Sequence, residues 1–425
     1  MLEIQRIRTQ AEEVVVALTR KRAGHAREAV AQILELDEKR RKILTELEKL
    51  RSEMNLAAKS IGQLMQSGKK EEAELAKSAS TQAKEQIKSL EEELAAVEPA
   101  IQDQLVSLPN VPHTSVPDGR EASDNLTVYQ NDIQVTFDFP AIPHWELARK
   151  HDIIDWELGV KITGAGFPVY KGKGAQLQRA LIGFFLDRAG EAGYSEVQPP
   201  LVVNAASGFG TGQLPDKEGQ MYFINEDNFY LIPTAEVPIT NIYRDEILAE
   251  DALPVKNCGY TPCFRREAGS YGKDVKGLNR LHQFDKVELV QIVHPEQSYE
   301  VLEQMVAHVE SLLTALELPF RRLLLCTGDM SFASAKTYDL EVWSAAQGRW
   351  LEVSSVSNFE TFQSNRLKLR YRDKEKKTQL AHTLNGSALA LPRIVASLLE
   401  NHQQADGSVR IPAALVPYTR FERIG

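Results

Sequence analysis

The stretch Cys263–Leu289, CFRREAGSYGKDVKGLNRLHQFDKVEL, decides how the rest of the chain is read. Both of its ends have strand character. CF precedes the charged run, and HQFDKVEL follows it with Phe284, Val287 and Leu289 as apolar positions. The middle holds Gly269, Gly272 and Gly277 and reads as a connection between two strands. Arg265, Arg266, Lys273, Lys276 and Arg280 crowd into this hairpin although the formal net charge of the chain is −9. A hairpin with a basic tip invites a polyanion, whereas charge runs in general are more often solvated surface.

Outward from this hairpin, the whole chain sets bounds. Its 425 residues leave room for two or three domains and a large core. With 43% hydrophobic and 26% charged residues the composition is ordinary, and no apolar run is long enough to span a bilayer. The start, MLEIQRIRTQAEEVVVALTRKR, has no signal-peptide core. Cys258, Cys263 and Cys326 cannot make an even disulfide framework and lack zinc-site spacing, so reduced thiols in the cytoplasm are expected. The acidic balance excludes a chain coated in basic charge. It leaves room for nucleic acid held by a local patch.

Upstream, apolar residues follow a heptad. Ile33, Leu47, Met54 and Ile61 form one series, broken at Arg40, and Leu36, Ile43, Leu50, Ala57 and Leu64 form the other. QSGKKEE, centred on Gly68, breaks the pattern. It resumes through Ala76, Ala83, Ile87, Leu90, Leu94, Val97, Ile101 and Leu108. Two heptad helices joined by a short turn predict an antiparallel coiled-coil hairpin, about 27–106, on the order of 45 Å long. Pro99 is expected to kink the second helix or loosen one turn. Such an arm serves either oligomerisation or reach toward a large partner. LPNVPHTSVPDG (Leu108–Gly119) forbids helix and marks a boundary. The expected organisation is an arm over 1–108, a proline-rich linker over 109–120 and one mixed α+β domain over 121–425.

Four segments in order then carry a resemblance. GAGFPVYKGKGAQLQRALIGFFLDRAGEAGYSEVQPPLVV is similar to motif 1 of the class II aminoacyl-tRNA synthetases, and PTAEVP (Pro233–Pro238) to their amino-acid loop. The opening hairpin is similar to motif 2, and NGSALALPRIVASLLE (Asn385–Glu400) to motif 3. Behind a coiled-coil arm, this set resembles the bacterial-type seryl-tRNA synthetases over nearly the whole chain. The resemblance implies a mostly antiparallel sheet flanked by helices, ATP and Mg²⁺, and a cytoplasmic homodimer. It also implies ligation of L-serine to tRNA(Ser) through seryl-adenylate, with tRNA(Sec) an expected second acceptor. In that family the arm reaches the tRNA of the partner subunit and grips its long variable arm, by shape and backbone rather than base sequence.

The resemblance also assigns residues. Arg265 matches the cation that bridges the α-phosphate and the serine carboxylate, a task suited to a planar guanidinium. Arg266 and Glu267 fall on the ATP side, Glu267 being two residues on and expected on the same strand face. Phe284 matches the aromatic that stacks on adenine, although a lone strand Phe is usually core. Glu352, Val353, Ser354 and Ser355 match an ATP-binding run in which Glu352 and Ser355 contact the metal, a hard oxygen set suited to Mg²⁺. Arg393 lies in an apolar helix, where a charge needs a partner; the resemblance supplies the γ-phosphate. Glu288 and Ser387 match contacts to the serine hydroxyl, Thr234 and Glu236 match contacts around its amino group, and Asn385 neighbours that pocket. Lys273, Lys276 and Arg280 are left to triphosphate or RNA backbone.

Two places depart from the family pattern: Gly166 stands where a basic residue is common, and Asn365 precedes Arg366 in FQSNRLKLRYR, so Gln363 and Arg366 receive no role. GKG at Gly172–Gly174 lacks P-loop spacing and reads as a helix entry. His282 has no metal-ligand partner in view and reads as structural. Two other readings keep parts of the pattern. A paralogue loading a carrier protein would not need the arm, and a non-catalytic RNA-binding scaffold would not keep Arg265, Glu288, Glu352 and Arg393 together.

Overall fold

The computed structural model describes residues 1–268 and 276–425. Two compact units result, Met1–Pro109 and Asn110–Gly425. In the first, short helices Ile4–Thr9 and Ala11–Arg20 precede a hairpin of α1 (Ala26–Gln66) and α2 (Lys70–Ser107). The 41 residues of α1 make a rod about 60 Å long, beyond the length expected from the heptads alone. The seam is built as the spacing predicts, with Ile33, Ile43, Leu47 and Leu50 buried on α1 and Val97, Ile101 and Leu105 on α2. Arg40, the break in the heptad, reaches across to Glu98. Arg51–Glu91 and Lys39–Glu93 add further cross-pairs.

The turn between the helices is a Schellman cap. Lys69 N–H donates to Leu64 O and Gly68 N–H to Met65 O. Gly68 takes φ +77°, a left-handed conformation that glycine adopts without a Cβ penalty. Pro99 does not interrupt α2. Its ring removes one N–H, but about eight turns before it and about two after it, already fixed by the seam, keep the element continuous.

The proline-rich segment is not a loose tether. Asn110 is buried and donates Nδ2 to Ala333 O (2.9 Å) and Phe359 O (2.8 Å). His113 N–H reaches Ala335 O, and Val111 and Val116 are buried. From Asn110 on, this stretch is part of the second unit.

The second unit is built on eight strands: β1 (Leu126–Gln130), β2 (Ser195–Glu196), β3 (Val255–Phe264), β4 (Gln283–Val293), β5 (Phe320–Leu324), β6 (Lys336–Ser344), β7 (Arg349–Asn358) and β8 (His382–Ala390). Their order across the sheet is β1-β5-β6-β7-β8-β4-β3-β2. All pairs are antiparallel except β2 with β3. Helices α3 (Gly172–Glu191), α4 (Ser298–Ala315) and α5 (Leu391–Asn401) contribute Leu177, Phe184, Leu302, Val309, Ile394 and Leu398 to the main core. Val287 and Leu289 of β4 join that core. Alternation then turns Lys286, Glu288 and Val290 to the opposite face, where Val290 packs with Ala235 and with Ile239 of the helix Glu236–Asn241, while Phe284 near the strand end also packs against the main core. One face of the sheet is core, and the other carries the chemistry.

Candidate active site

The hairpin that opened the sequence reading is β3–β4. Its legs pair Cys263 with Phe284, Thr261 with Lys286 and Gly259 with Glu288. Arg265 follows the last residue of β3, its N–H bonded to His282 O and its Nε to Pro233 O at 3.3 Å. The guanidinium stands 5.2 Å over the Phe284 ring, so the residues assigned to α-phosphate and adenine are neighbours. Arg266 N–H bonds Gln220 O. The strand-face argument for Glu267 does not hold. β3 ends at Phe264 and Glu267 takes φ +48°, which breaks the period-two alternation; its carboxylate pairs with Arg280 Nη1 at 3.0 Å. Arg280 is thereby bound across the hairpin, and Lys276 lies 4.5 Å over the Trp145 ring. Gly269, Gly272 and Lys273 lie outside the described residues.

A buried polar cluster occupies the middle of β4. Lys286 Nζ lies 2.5 Å from Glu288 Oε2 and 2.8 Å from Thr234 Oγ1, and Thr234 donates to Glu288 Oε2 at 3.1 Å. All three side chains are buried. Register places Ser387 of β8 opposite Glu288 and Asn385 opposite Val290. Lys286 escaped the sequence reading, although its two-residue spacing from Glu288 within β4 was a usable sign.

Glu236 begins the helix Glu236–Asn241 on this same face. Gln363 Nε2 donates to its Oε1 at 2.6 Å, while Gln363 Oε1 accepts from Thr383 at 2.7 Å, and Asn385 also bonds the carboxyl. Burial, reinforced by the charge of Glu288, pushes the Glu236 carboxyl up to about 7; Gln363, Lys286 and Asn385 pull it down. Gln363, left without a role in the sequence, is therefore the direct holder of Glu236. Arg366 is structural. It donates Nη1 to Phe209 O and Leu214 O and lies over the Phe209 and Phe362 rings, and burial lowers it to about 10.

Glu352 and Ser355 are three residues apart, a spacing that would put them on opposite faces of a regular strand. A bulge repairs this. Glu341 pairs with Glu352, Leu340 with Ser354 and Asp339 with Ser355, which leaves Val353 as the extra residue. Glu352, Ser355, Asp339 and Glu341 consequently share one face. Val353 is 1% exposed in the core, so only its main chain is available to a nucleotide. Ser354 is buried and donates Oγ to Ser387 O at 2.6 Å, tying β7 to β8. Ser355 donates to Asp339 Oδ1, and burial together with Glu352 raises the Asp339 carboxyl well above the usual carboxylate range. Asp339, absent from the sequence reading, thus joins the candidate metal face. Among the described residues no three His, Cys, Asp or Glu side chains form a metal cage by themselves.

Arg393 sits in the first turn of α5. Its Nη1 donates to Glu352 O at 2.5 Å and lies 3.7 Å from Glu352 Oε1, and its Nε donates to Asn279 O at 3.1 Å. Arg265 and Arg393 therefore attach to the outgoing and returning legs of the same hairpin. Gly166, the departure in motif 1, takes φ +83°, and a Cβ there would fall 2.4 Å from the His282 ring. His282 in turn bonds Tyr222 OH at 2.7 Å and stacks on Phe167, as a structural residue.

Comparison with known proteins agrees with this geometry. Residues 1–112 match the family described as seryl-tRNA synthetase N-terminal domain, and residues 222–402 match the tRNA synthetase class II core domain (G, H, P, S and T). A serine--tRNA ligase of Salinibacter ruber is 56% identical over 100% of this chain and 99% of its own length. The crystal structure of seryl-tRNA synthetase from Pyrococcus horikoshii complexed with ATP superposes with a TM-score of 0.93 at 36% identity, covering 100% of this chain and 99% of that one. A structure of A. aeolicus tRNASec in complex with M. kandleri SerRS shares the fold more distantly, with a TM-score of 0.57 at 18% identity over 78% of this chain and 68% of that one. Arm, sheet and full-length similarity converge, and the chain belongs to the seryl-tRNA synthetase family of class II aminoacyl-tRNA synthetases.

Proposed function

We propose that this serine–tRNA ligase activates L-serine with ATP on the β4–β8 face and transfers the seryl group to the terminal ribose of tRNA(Ser). The observation that carries the serine assignment is the buried trio Thr234, Lys286 and Glu288 opposite Ser387. Lys286 and Thr234 both bind Oε2 of Glu288, so its other oxygen is the acceptor for a substrate hydroxyl. A pocket built around such a group penalises alanine and glycine, which leave the acceptor without a donor. Glu236, oriented by Gln363 and neighboured by Asn385, takes the ammonium.

In activation the serine carboxylate attacks the α-phosphate, the bond to pyrophosphate breaks, and negative charge builds on the equatorial oxygens. Arg265 binds the carboxylate and the α-phosphate together, Phe284 stacks on adenine, and Arg266 and Glu267 line the nucleotide. Arg393 takes the γ-phosphate, its Nε already occupied by Asn279. Glu352 and Ser355 fit Mg²⁺: the donors are hard oxygens on one face, and the hydrogen bond to Asp339 turns the lone pairs of Ser355 outward. When bound, Mg²⁺ neutralises phosphate charge. The ligase works as a cytoplasmic homodimer, the arm grips the tRNA, and tRNA(Sec) is a second acceptor, as the family resemblance implies. The test is serine-dependent exchange of pyrophosphate into ATP. Exchange with serine and little with alanine or threonine is expected; exchange driven by another amino acid and not by serine overturns the reading.

A further inference from the structure

Beyond these contacts, the fold buries a histidine–carboxylate pair that no substrate role uses. His144 and Glu400 are both fully buried (0% exposed), with Nδ1 2.7 Å from Oε1. The His144 main-chain N–H also donates to that oxygen, at 3.1 Å. The second ring nitrogen, Nε2, accepts the Leu278 N–H at 2.9 Å. An acceptor at Nε2 fixes the single ring proton on Nδ1, where it is donated to Glu400. Ser344 Oγ and Ala346 N–H satisfy the other carboxylate oxygen. Burial alone would favour a neutral carboxyl, but the hydrogen bonds from His144 and Ser344 hold Glu400 below the usual range, as an anion.

From this pair two routes lead to the nucleotide side. Gln347 Nε2 donates to Glu400 Oε1 at 3.2 Å, and its Oε1 accepts from Asn279 Nδ2 at 3.0 Å. Asn279 O then accepts from Arg393 Nε. Arg393 and Glu400 are seven residues apart on α5, two turns along one helix face. The ring is closed: Arg393, Asn279, Leu278, His144, Glu400 and back along the helix. Its neighbours also hold the returning leg of the hairpin. Trp156 Nε1 donates to Gly277 O at 3.2 Å, and a Cβ on Gly277 would meet His144 Nε2 at 2.2 Å.

We propose that His144 and Glu400 are positioning residues for ATP: through Leu278 and Asn279 they fix the returning leg of the motif 2 hairpin and set the direction of the Arg393 guanidinium. Without the ring, Asn279 O drifts and Arg393 keeps only its contact to Glu352, losing the Nε bond that fixes the second side of the guanidinium. The inference rests on the assignment of Arg393 to ATP.

The test is pyrophosphate exchange with the full chain, reading KM for ATP and KM for serine separately. His144→Leu keeps volume but neither hydrogen bond, and is expected to raise KM for ATP about tenfold with KM for serine within about twofold. His144→Gln, which restores one donor and one acceptor, recovers part of the loss. Gln347→Ala cuts the outer link, removing one donor to Glu400 Oε1 while leaving the His144–Glu400 contact in place, and raises KM for ATP about threefold. Amide exchange at Leu278 is expected to quicken in His144→Leu and to stay slow in Gln347→Ala. Equal rises in both KM values, or an ATP KM unchanged in Gln347→Ala and His144→Gln alike, overturn the proposal. Arg393→Ala separates the two readings. If it raises KM for ATP while the ring variants do not, the ring idea alone fails; if it changes nothing, the ATP assignment fails and the ring idea with it.

Discussion

Glu236 shows how far a single side chain is governed by its surroundings. Placed at the start of a helix in PTAEVP, it reads as an ordinary partner for an ammonium. The tertiary structure buries it beside Glu288 and moves its carboxyl up to about 7. Because an ammonium needs the anion, KM for serine should rise as pH falls below about 7, approaching tenfold per unit, in exchange assays at saturating ATP. The same shift has a stability consequence of opposite sense. The folded value lies above the ordinary 4.5, so this group's contribution to stability is full below 4.5 and is lost as pH rises through about 7. Denaturant midpoints compared with Glu236→Gln between pH 4 and 8 check this: the wild type should lose ground to the variant as pH rises. Thr234, Glu288, Ser387 and Arg393 could be singled out from the sequence because they sit in ordered motifs, and their roles are the proposal made above. Lys286, Gln363 and Asp339 were not, since each acquires meaning only from a neighbour across the sheet or from a distant loop.

At the scale of elements, the heptad spacing was enough for the hairpin, because a seam repeated every seven residues leaves two helices and a short turn few other ways to pack. The expected length of about 45 Å counted roughly thirty residues per helix, whereas α1 has 41 and α2 has 38, with Ala26 and Ala29 carrying the seam one heptad further back. The strand pair around motif 2 was equally plain from alternation. The bulge at Val353 was hidden. Sequence spacing of three suggests opposite faces, and only pairing with β6 shows that Glu352 and Ser355 share one. A specific expectation belongs to the arm: deletion of Ala31–Leu105 should abolish charging of tRNA(Ser) while serine-dependent exchange persists within about threefold, because the arm and the sheet lie in separate compact units. Loss of both activities would argue against that division of labour.

For the whole molecule, the proposed homodimer is checked by solution mass, with about twice the 47.6 kDa chain expected in sedimentation or light scattering; a monomer that supports full exchange would refute it. None of the described helices is long and apolar enough to cross a membrane. By itself the sequence determined the helical arm ahead of a mixed body, the antiparallel character of the site hairpin and the family, because these depend on local periodicity and on short ordered patterns. The tertiary structure decided which carboxylates are buried together, which side chain holds Glu236, how β7 turns Glu352 and Ser355 to one side, and how His144 and Glu400 close on Leu278 of the hairpin from 134 and 122 residues away. The physical reason is that charge, burial and hydrogen-bond geometry are set by neighbours in space, and the antiparallel sheet brings those neighbours from segments that share no local pattern.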